Sequence, residues 1–204
     1  MVQSLGYLKE SPSQTAGPYV HIGCVPTFAG IEGVYPADLG KTMVNDNTRG
    51  ERIAITGRVI DGTGTPLKDA MLEIWQADAA GLYNSPSETR GLADPEFSGW
   101  GRQPTDGKSG VYRFETIKPG RVPWPDGRMQ APHVSLWIVA RGINIGLNTR
   151  MYFGDEEAAN AEDPLLNRIE LKVRVPTLVA KRDGDTYHFD IVLQCENETV
   201  FFDI

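Results

Sequence analysis

The chain of 204 residues offers few side chains whose type and spacing could do chemistry. Of its three histidines, His21 and His188 have no ligand-spaced partner nearby, so both are interpreted as structural. Cys24 and Cys195 are far apart and form no Cys-x-x-Cys pair, which predicts free thiols. The sequence also lacks the dinucleotide-binding glycine motif, the P-loop, the His-Glu-x-x-His zinc motif and the Gly-x-Ser-x-Gly nucleophile motif.

One long pattern is specific. It consists of Ile55-x-Gly57-x-Val59, Gly64, Leu67, Leu72-Glu73-Ile74 and Gly81-x-Tyr83. Every defined position fits the signature of the intradiol ring-cleavage dioxygenases, so the chain resembles that family. The resemblance continues over nearly the whole chain, through Asp94-Pro95-Glu96-Phe97, Lys118-Pro119-Gly120 and Ala131-Pro132-His133. It implies a β-sandwich fold and an enzyme that opens a catechol ring between its two hydroxyl groups.

The resemblance also implies a ferric site, since active members of the family hold Fe(III) with two tyrosines and two histidines. His133 is the one ligand position that is kept; the others are Thr89, Val122 and Ser135, and the family's site arginine is Gln130. Ferric iron is a hard cation that prefers anionic oxygen ligands. Valine has no donor atom, and neutral hydroxyls are poor substitutes for phenolate and imidazole. We therefore expect no metal in this chain, but a vestigial pocket.

Heteromeric members of the family pair an iron-free α chain with an iron-bearing β chain, and the active site lies at their junction. The resemblance implies that this chain is of the α type and that its partner, a β-type chain, holds the non-heme Fe(III). It further implies substrate-binding roles for Arg141 near the pocket entrance and for an N-terminal element that lines the partner's pocket, Thr15, Ala16, Gly17, Pro18 and Tyr19. A cation there would attract the carboxylate of a small aromatic acid.

The residues alone also allow purely structural interpretations of the N-terminal element and of Arg141. Thr15 to Tyr19 could be a turn that starts the first strand. Arg141 could form an ordinary surface ion pair with one of the 27 acidic residues.

The elements that must position these residues are short strands with frequent turn signals. Eight strand candidates are residues 52–60, 70–77, 111–117, 133–141, 148–153, 178–182, 187–193 and 199–204. Residues 155–162 are the best helix candidate, and residues 84–110 and 121–132 are predicted to be loops. We expect an all-β single domain, with an irregular arm over residues 1–50 and a β-sandwich over residues 51–204. The first two strands are predicted to form a hairpin or meander.

Composition excludes some partners. The net charge of −7 disfavours nucleic acid, because phosphate binding requires a basic surface. There is no run of about 18 apolar residues, so no membrane span is expected. Residues Met1 to Pro12 lack the basic flank and apolar stretch of a secretory signal, which predicts the cytoplasm.

The leading interpretation is a pocket-forming subunit of a hetero-oligomeric intradiol dioxygenase that uses O2 and is inactive without its partner. Two alternatives remain. One is a self-sufficient dioxygenase for catechol or hydroxyquinol, with ligands outside the family positions. The other is a non-enzymatic β-sandwich module that binds carbohydrate or protein and shares only the fold.

Overall fold

The structure is a computed structural model that describes residues 14–144 and 146–203, without the side chain of Pro18. Within these residues the chain forms nine strands and two short α-helices. The helices are α1 (Pro18–Cys24) and α2 (Glu157–Glu162). The strands are β1 (Arg52–Ile60), β2 (Met71–Trp75), β3 (Trp100–Pro104), β4 (Val111–Ile117), β5 (His133–Val139), β6 (Leu147–Phe153), β7 (Val179–Asp183), β8 (Thr186–His188) and β9 (Ile191–Val192). Two 3₁₀ segments, Leu166–Arg168 and Lys172–Leu178, lie between α2 and β7.

The strands follow one hydrogen-bonded path in the order β3-β2-β5-β6-β7-β8-β1-β4, and β9 pairs with β1. Strands β3, β2, β5 and β6 pair antiparallel with one another. Strand β1 is antiparallel to β4 but parallel to β8 and β9. Strand β7 links the two halves, parallel to β6 and antiparallel to β8. The expected all-β class is confirmed, as a nearly closed, barrel-like sandwich.

One hydrophobic core lies between the two halves of the sheet. It joins Leu72 and Leu136 from the β3-β2-β5-β6 half to Ile55 and Phe114 from the other half. Burial alternates along the strands, as in β4, where Tyr112 and Phe114 are buried and Arg113 and Glu115 are exposed. Each such apolar side chain contributes roughly 1.5–3 kcal/mol on burial, and this shared interior holds the two halves together.

The predicted hairpin between the first two strands is wrong. Asp61 to Thr65 does form a tight turn, in which the N–H of Asp61 donates to the carbonyl of Thr65 at 3.0 Å. Beyond this turn the chain crosses to the other half of the sheet, where β2 pairs with β3 and β5 instead of β1. The turn could be predicted because it depends on local sequence, whereas the strands that pair with β2 are determined by packing in the shared core.

Three further element predictions are wrong. Residues 84–110 contain β3, whose Gly101 and Pro104 obscure the strand pattern. In place of the strand predicted over residues 199–204, the described residues 199–203 form only an isolated bridge, between Phe202 and Asn148. The prediction for 187–193 divides into β8 and β9, because the chain leaves the ladder at Phe189 and Asp190. The helix predicted over residues 155–162 is confirmed as α2.

The N-terminal arm is less irregular than expected. Pro18 occupies the start of α1, where its missing N–H costs nothing because the first helical N–H groups have no partner in the helix. After α1 the arm runs along the edge strand β3: the N–H of Arg102 donates to the carbonyl of Gly40 at 2.9 Å, and its guanidinium donates to the carbonyl of Cys24 at 3.2 Å. The arm thereby covers hydrogen-bonding groups that an edge strand would leave open.

The structure also bears on the state of the cysteines and on the length of the helices. Cys24 and Cys195 are both free thiols, as predicted. Across the described part of the chain, the helices are too short or too polar to cross a membrane.

Candidate functional site

His133 begins β5, and its side chain is buried against the next strand. The ring nitrogen Nδ1 lies 2.8 Å from the carbonyl oxygen of Ala131, which assigns the ring proton to Nδ1. The ring packs on Tyr152 with 5.7 Å between centroids. Burial, and then the charge of Arg150, lowers the pKa of His133 to about 4. The imidazole is therefore neutral near pH 7.

Asp163 fixes the backbone in front of this histidine. Its carboxylate is fully buried and accepts hydrogen bonds from the N–H of Ala131 at 2.8 Å and from the hydroxyl of Tyr152 at 3.3 Å. It also accepts the N–H groups of Leu165 and Leu166, at 2.8 and 2.9 Å. One carboxylate thus joins the entrance to β5, strand β6 and the segment after α2.

Three of the five vestigial positions line one cavity of about 380 Å³. These are Thr89, which is exposed, Val122, which is buried, and Gln130. Trp75 and Tyr83 form another wall, stacked with 5.8 Å between ring centroids and nearly parallel planes. The structure therefore brings Thr89, Val122 and Gln130 together around one cavity.

The charges at the rim of this cavity are paired. The Nε of Arg90 donates to Glu88 at 2.9 Å, and its Nη2 donates to the carbonyl of Gly81 at 2.8 Å. Hydrogen bonding from Arg90, followed by the N–H of Tyr83, lowers the pKa of Glu88 to about 2. Glu88 is thus an ionised, paired carboxylate that holds the loop of Thr89 in place.

Ser135 lies apart from that group. It faces the outer side of the sheet and lines a second cavity of about 220 Å³ together with Trp75, Trp137 and Arg150. Trp75 lines both cavities and separates Ser135 from Thr89. The five positions predicted to form one vestigial pocket are therefore not together: four are divided between two adjoining cavities, and His133 lines neither.

Arg150 is a site residue that sequence reasoning missed. It stands opposite Ser135 in the pairing of β5 with β6, and its Nη1 donates to the side-chain oxygen of Gln130 at 2.7 Å. A guanidinium thus lies among the vestigial positions, beside the residue that replaces the family's arginine. The signal was the register between two strands, which cannot be read from one sequence without the pairing.

The donor set does not fit Fe(III). Val122 offers no donor, Thr89 and Ser135 line different cavities, and His133 is a single neutral imidazole. The fixed positive charge of Arg150 further disfavours a trivalent cation. Elsewhere in residues 14–144 and 146–203, no three His, Cys, Asp or Glu side chains group as metal ligands.

The N-terminal element meets the segment that follows β5. The hydroxyl oxygen of Thr15 accepts the N–H of Gly142 at 2.7 Å and lies 3.4 Å from the carbonyl oxygen of Ala140. These two residues flank Arg141, so Thr15 and Arg141 lie together. Arg141 forms an ion pair with Asp69, and its side chain is 76% exposed. The ion pair that the sequence left as an alternative is present.

The two predicted groups do not form one site. Arg141 follows His133 by eight residues along and just beyond β5, a path of about 26 Å for extended chain. Tyr19, four residues after Thr15 and within α1, is 83% exposed. Residues near Arg141 therefore face solvent at the end of the sheet opposite to the vestigial cavities.

Comparison with known proteins identifies the family. The sequence model described as "Dioxygenase" matches residues 26–195. The chain is 45% identical to the protocatechuate 3,4-dioxygenase alpha chain of Pseudomonas putida over 96% of this chain and 97% of that one. It is 36% identical to the protocatechuate 3,4-dioxygenase beta chain of Burkholderia cepacia, over 83% of this chain and 77% of that one.

The fold agrees with a solved structure at low sequence identity. The 3-chlorocatechol 1,2-dioxygenase of Rhodococcus opacus 1CP superposes with a TM-score of 0.58 at 21% identity, covering 94% of this chain and 69% of that one. This likeness supports the architecture alone. With the matched family model and the relatives above 30% identity, the conclusion is that the chain belongs to the intradiol ring-cleavage dioxygenase family.

Proposed function

We propose that this chain is the iron-free, α-type subunit of a protocatechuate 3,4-dioxygenase. The complete enzyme would cleave protocatechuate with O2 to 3-carboxy-cis,cis-muconate, with Fe(III) held by a β-type partner. The observation that carries the proposal is what we call the vestigial corner: Val122 and Ser135 occupy positions where the family resemblance expects iron ligands, and the guanidinium of Arg150 donates to the side chain of Gln130. Similarity to α chains over almost the full length supports the same conclusion.

In this proposal the chain acts through the end that contains Arg141. Because Arg141 lies beyond the end of β5 that is opposite to the chain's own vestigial corner, we assign it to a ring-cleaving centre on another chain. Ferric iron in the partner supplies the activation of the catecholate. The residues of this chain bind and orient the substrate: Arg141 attracts the carboxylate, and Gly17 and Tyr19 line the pocket.

The ion pair of Arg141 suits such a role. Exposed pairs contribute only about 0–1 kcal/mol, so exchanging Asp69 for a substrate carboxylate costs little. Thr15 holds the two ends of the segment around Arg141, through Ala140 and Gly142. The guanidinium would therefore stay near the pocket while its partner changes.

The arm supplies a surface for the partner. A run of large apolar side chains is exposed on it: Tyr19, Ile22, Phe28, Ile31, Val34, Tyr35 and Leu39. Apolar side chains clustered in this way mark interaction surfaces. We assign this run, the arm surface, to contact with the β-type chain.

The proposal is tested by producing the chain alone and together with a β-type chain. Alone, it should contain no iron by elemental analysis and should not turn over protocatechuate. Together, the two chains should co-elute on gel filtration, contain iron and consume O2 with protocatechuate. Near-stoichiometric iron and activity in the lone chain would favour a self-sufficient dioxygenase. A stable monomer that does not co-elute with the β-type chain would favour a non-enzymatic binding module.

A further inference from the structure

The smaller of the two cavities, about 220 Å³, lies on the outer face of the β3-β2-β5-β6 half of the sheet. All four tryptophans of the chain line it: Trp75, Trp100, Trp124 and Trp137. Cross-strand pairing places Trp100 beside Trp75, Trp75 beside Ser135, and Ser135 beside Arg150. Because Ser135 is the smallest member of this row, a gap opens between an indole and a guanidinium. Pockets for drug-sized ligands measure roughly 300–1,000 Å³, so this gap suits a single ring.

The aromatic walls are held in place before any ligand arrives. The guanidinium of Arg102 lies 5.0 Å from the ring centre of Trp100, and that of Arg168 lies 5.0 Å from the ring centre of Trp124. Any side chain at Gly146 would overlap the indole of Trp137. Fixed walls reduce the ordering that a ligand must impose when it binds.

The cavity has an unbalanced positive charge. Its acidic residue, Glu73, is already paired with Arg102, whose Nε lies 2.7 Å from the carboxylate. Arg150 is half-buried and bonds to the neutral amide of Gln130. Within the described residues, no carboxylate lies within ion-pair distance of Arg150. A guanidinium partly removed from water and without a carboxylate partner attracts an anion.

We propose that this cavity binds a planar aromatic monocarboxylate, with its ring against the tryptophans and its carboxylate on Arg150. Flat aromatic faces match a ring, and the planar fork of a guanidinium matches a carboxylate in two-point contact. The site is non-catalytic and belongs to this chain alone. It goes beyond the role proposed above, because it requires neither a partner nor ring cleavage.

Calorimetric titration of the full chain with benzoate tests the proposal, with benzamide as the neutral ligand of the same shape. We expect one benzoate per chain with a dissociation constant of about 1 mM or tighter, and at least about 10-fold weaker binding of benzamide. Arg150→Gln should weaken benzoate binding by about 10-fold or more. Arg113→Gln, the matched charge change on the exposed face of β4, should leave it unchanged.

A second variant protects the test against misfolding. Ser135→Leu keeps the charge of Arg150 but fills the floor of the cavity, so it should also weaken benzoate binding, and thermal unfolding reports whether each variant is folded. The proposal is overturned if the wild-type chain does not bind benzoate, if benzamide binds equally well, or if both variants bind as the wild type does. If the chain binds benzoate but does not support protocatechuate turnover with a β-type chain, the proposed function is contradicted while the benzoate site is still supported.

Discussion

The hydroxyl oxygen of Thr15 accepts a 2.7 Å hydrogen bond from the N–H of Gly142, across a sequence separation of 127 residues. This contact ties the N-terminal element to the segment after β5, and Arg141 lies within that segment. Two groups predicted from different parts of the sequence to serve one substrate pocket are therefore joined through a single hydroxyl. The influence of the N-terminal element on Arg141 can therefore be measured by removing the hydroxyl of Thr15.

Replacing Thr15 by valine removes the hydroxyl and keeps the shape. Loss of a hydrogen bond costs about 0.5–1.5 kcal/mol, so the KM for protocatechuate of the complex with a β-type chain should rise by roughly 2- to 10-fold. Thr15→Ser is the matched control, because it keeps the oxygen, and should stay near the wild-type KM. Equal kinetics for the valine and serine variants would show that the tether does not position the pocket.

Arg141→Gln tests the attraction of the substrate carboxylate. In the complex, KM should rise several-fold, and the rise should shrink as salt is added, since salt screens exposed charges over about 10 Å at 0.1 M. Asp69→Asn frees Arg141 from its ion pair and should leave KM the same or lower. The role fails if both substitutions raise KM alike, because the ion pair itself would then be the requirement.

Much of the sheet could be predicted from local pattern. Strands β1 and β4 were predicted with their observed ends, since buried and exposed residues alternate along them and turns bound them. The pairing of β1 with β4, β8 and β9 could not be predicted, because these strands are brought together by a core built from distant segments. Strand β3 was missed for a different reason: its edge position tolerates Gly101 and Pro104, which local patterns associate with loops.

The candidate site, like the sheet, could be predicted from the sequence only in part. The types of residue at Thr89, Val122 and Ser135 were enough to argue against a ferric centre. The cation of Arg150 is invisible at that level, because it enters the pocket from β6 and meets Gln130 only through tertiary structure. The separation of Ser135 from Thr89 likewise depends on Trp75, which stands between two cavities.

Restoring the family ligands should not be enough to restore iron. In the triple variant Thr89→Tyr, Val122→Tyr and Ser135→His, we expect elemental analysis to find little iron, since Arg150 still places a positive charge beside the restored ligands. Adding Arg150→Gln should raise the iron content several-fold. Thermal unfolding controls for loss of structure. If the triple variant already holds stoichiometric iron, the guanidinium is not the barrier that we describe.

The pH dependence of folding should reveal the buried His133. Its pKa is lowered from 6.5 to about 4 in the folded chain, so unfolding takes up a proton between these values. Since the neutral ring is favoured in the fold, its contribution is complete above about pH 6.5 and is lost as pH falls toward 4, up to about 3 kcal/mol in total.

His133→Asn isolates this contribution from other titrating groups. Asparagine retains a donor for the carbonyl of Ala131 but does not titrate. Urea unfolding at pH 7 and pH 4.5 should show the wild-type chain losing about 2 kcal/mol more than the variant as the pH is lowered. If the wild-type chain and the variant lose the same unfolding free energy between pH 7 and pH 4.5, then His133 is protonated or exposed to water in the folded chain. That result would contradict a buried, neutral imidazole.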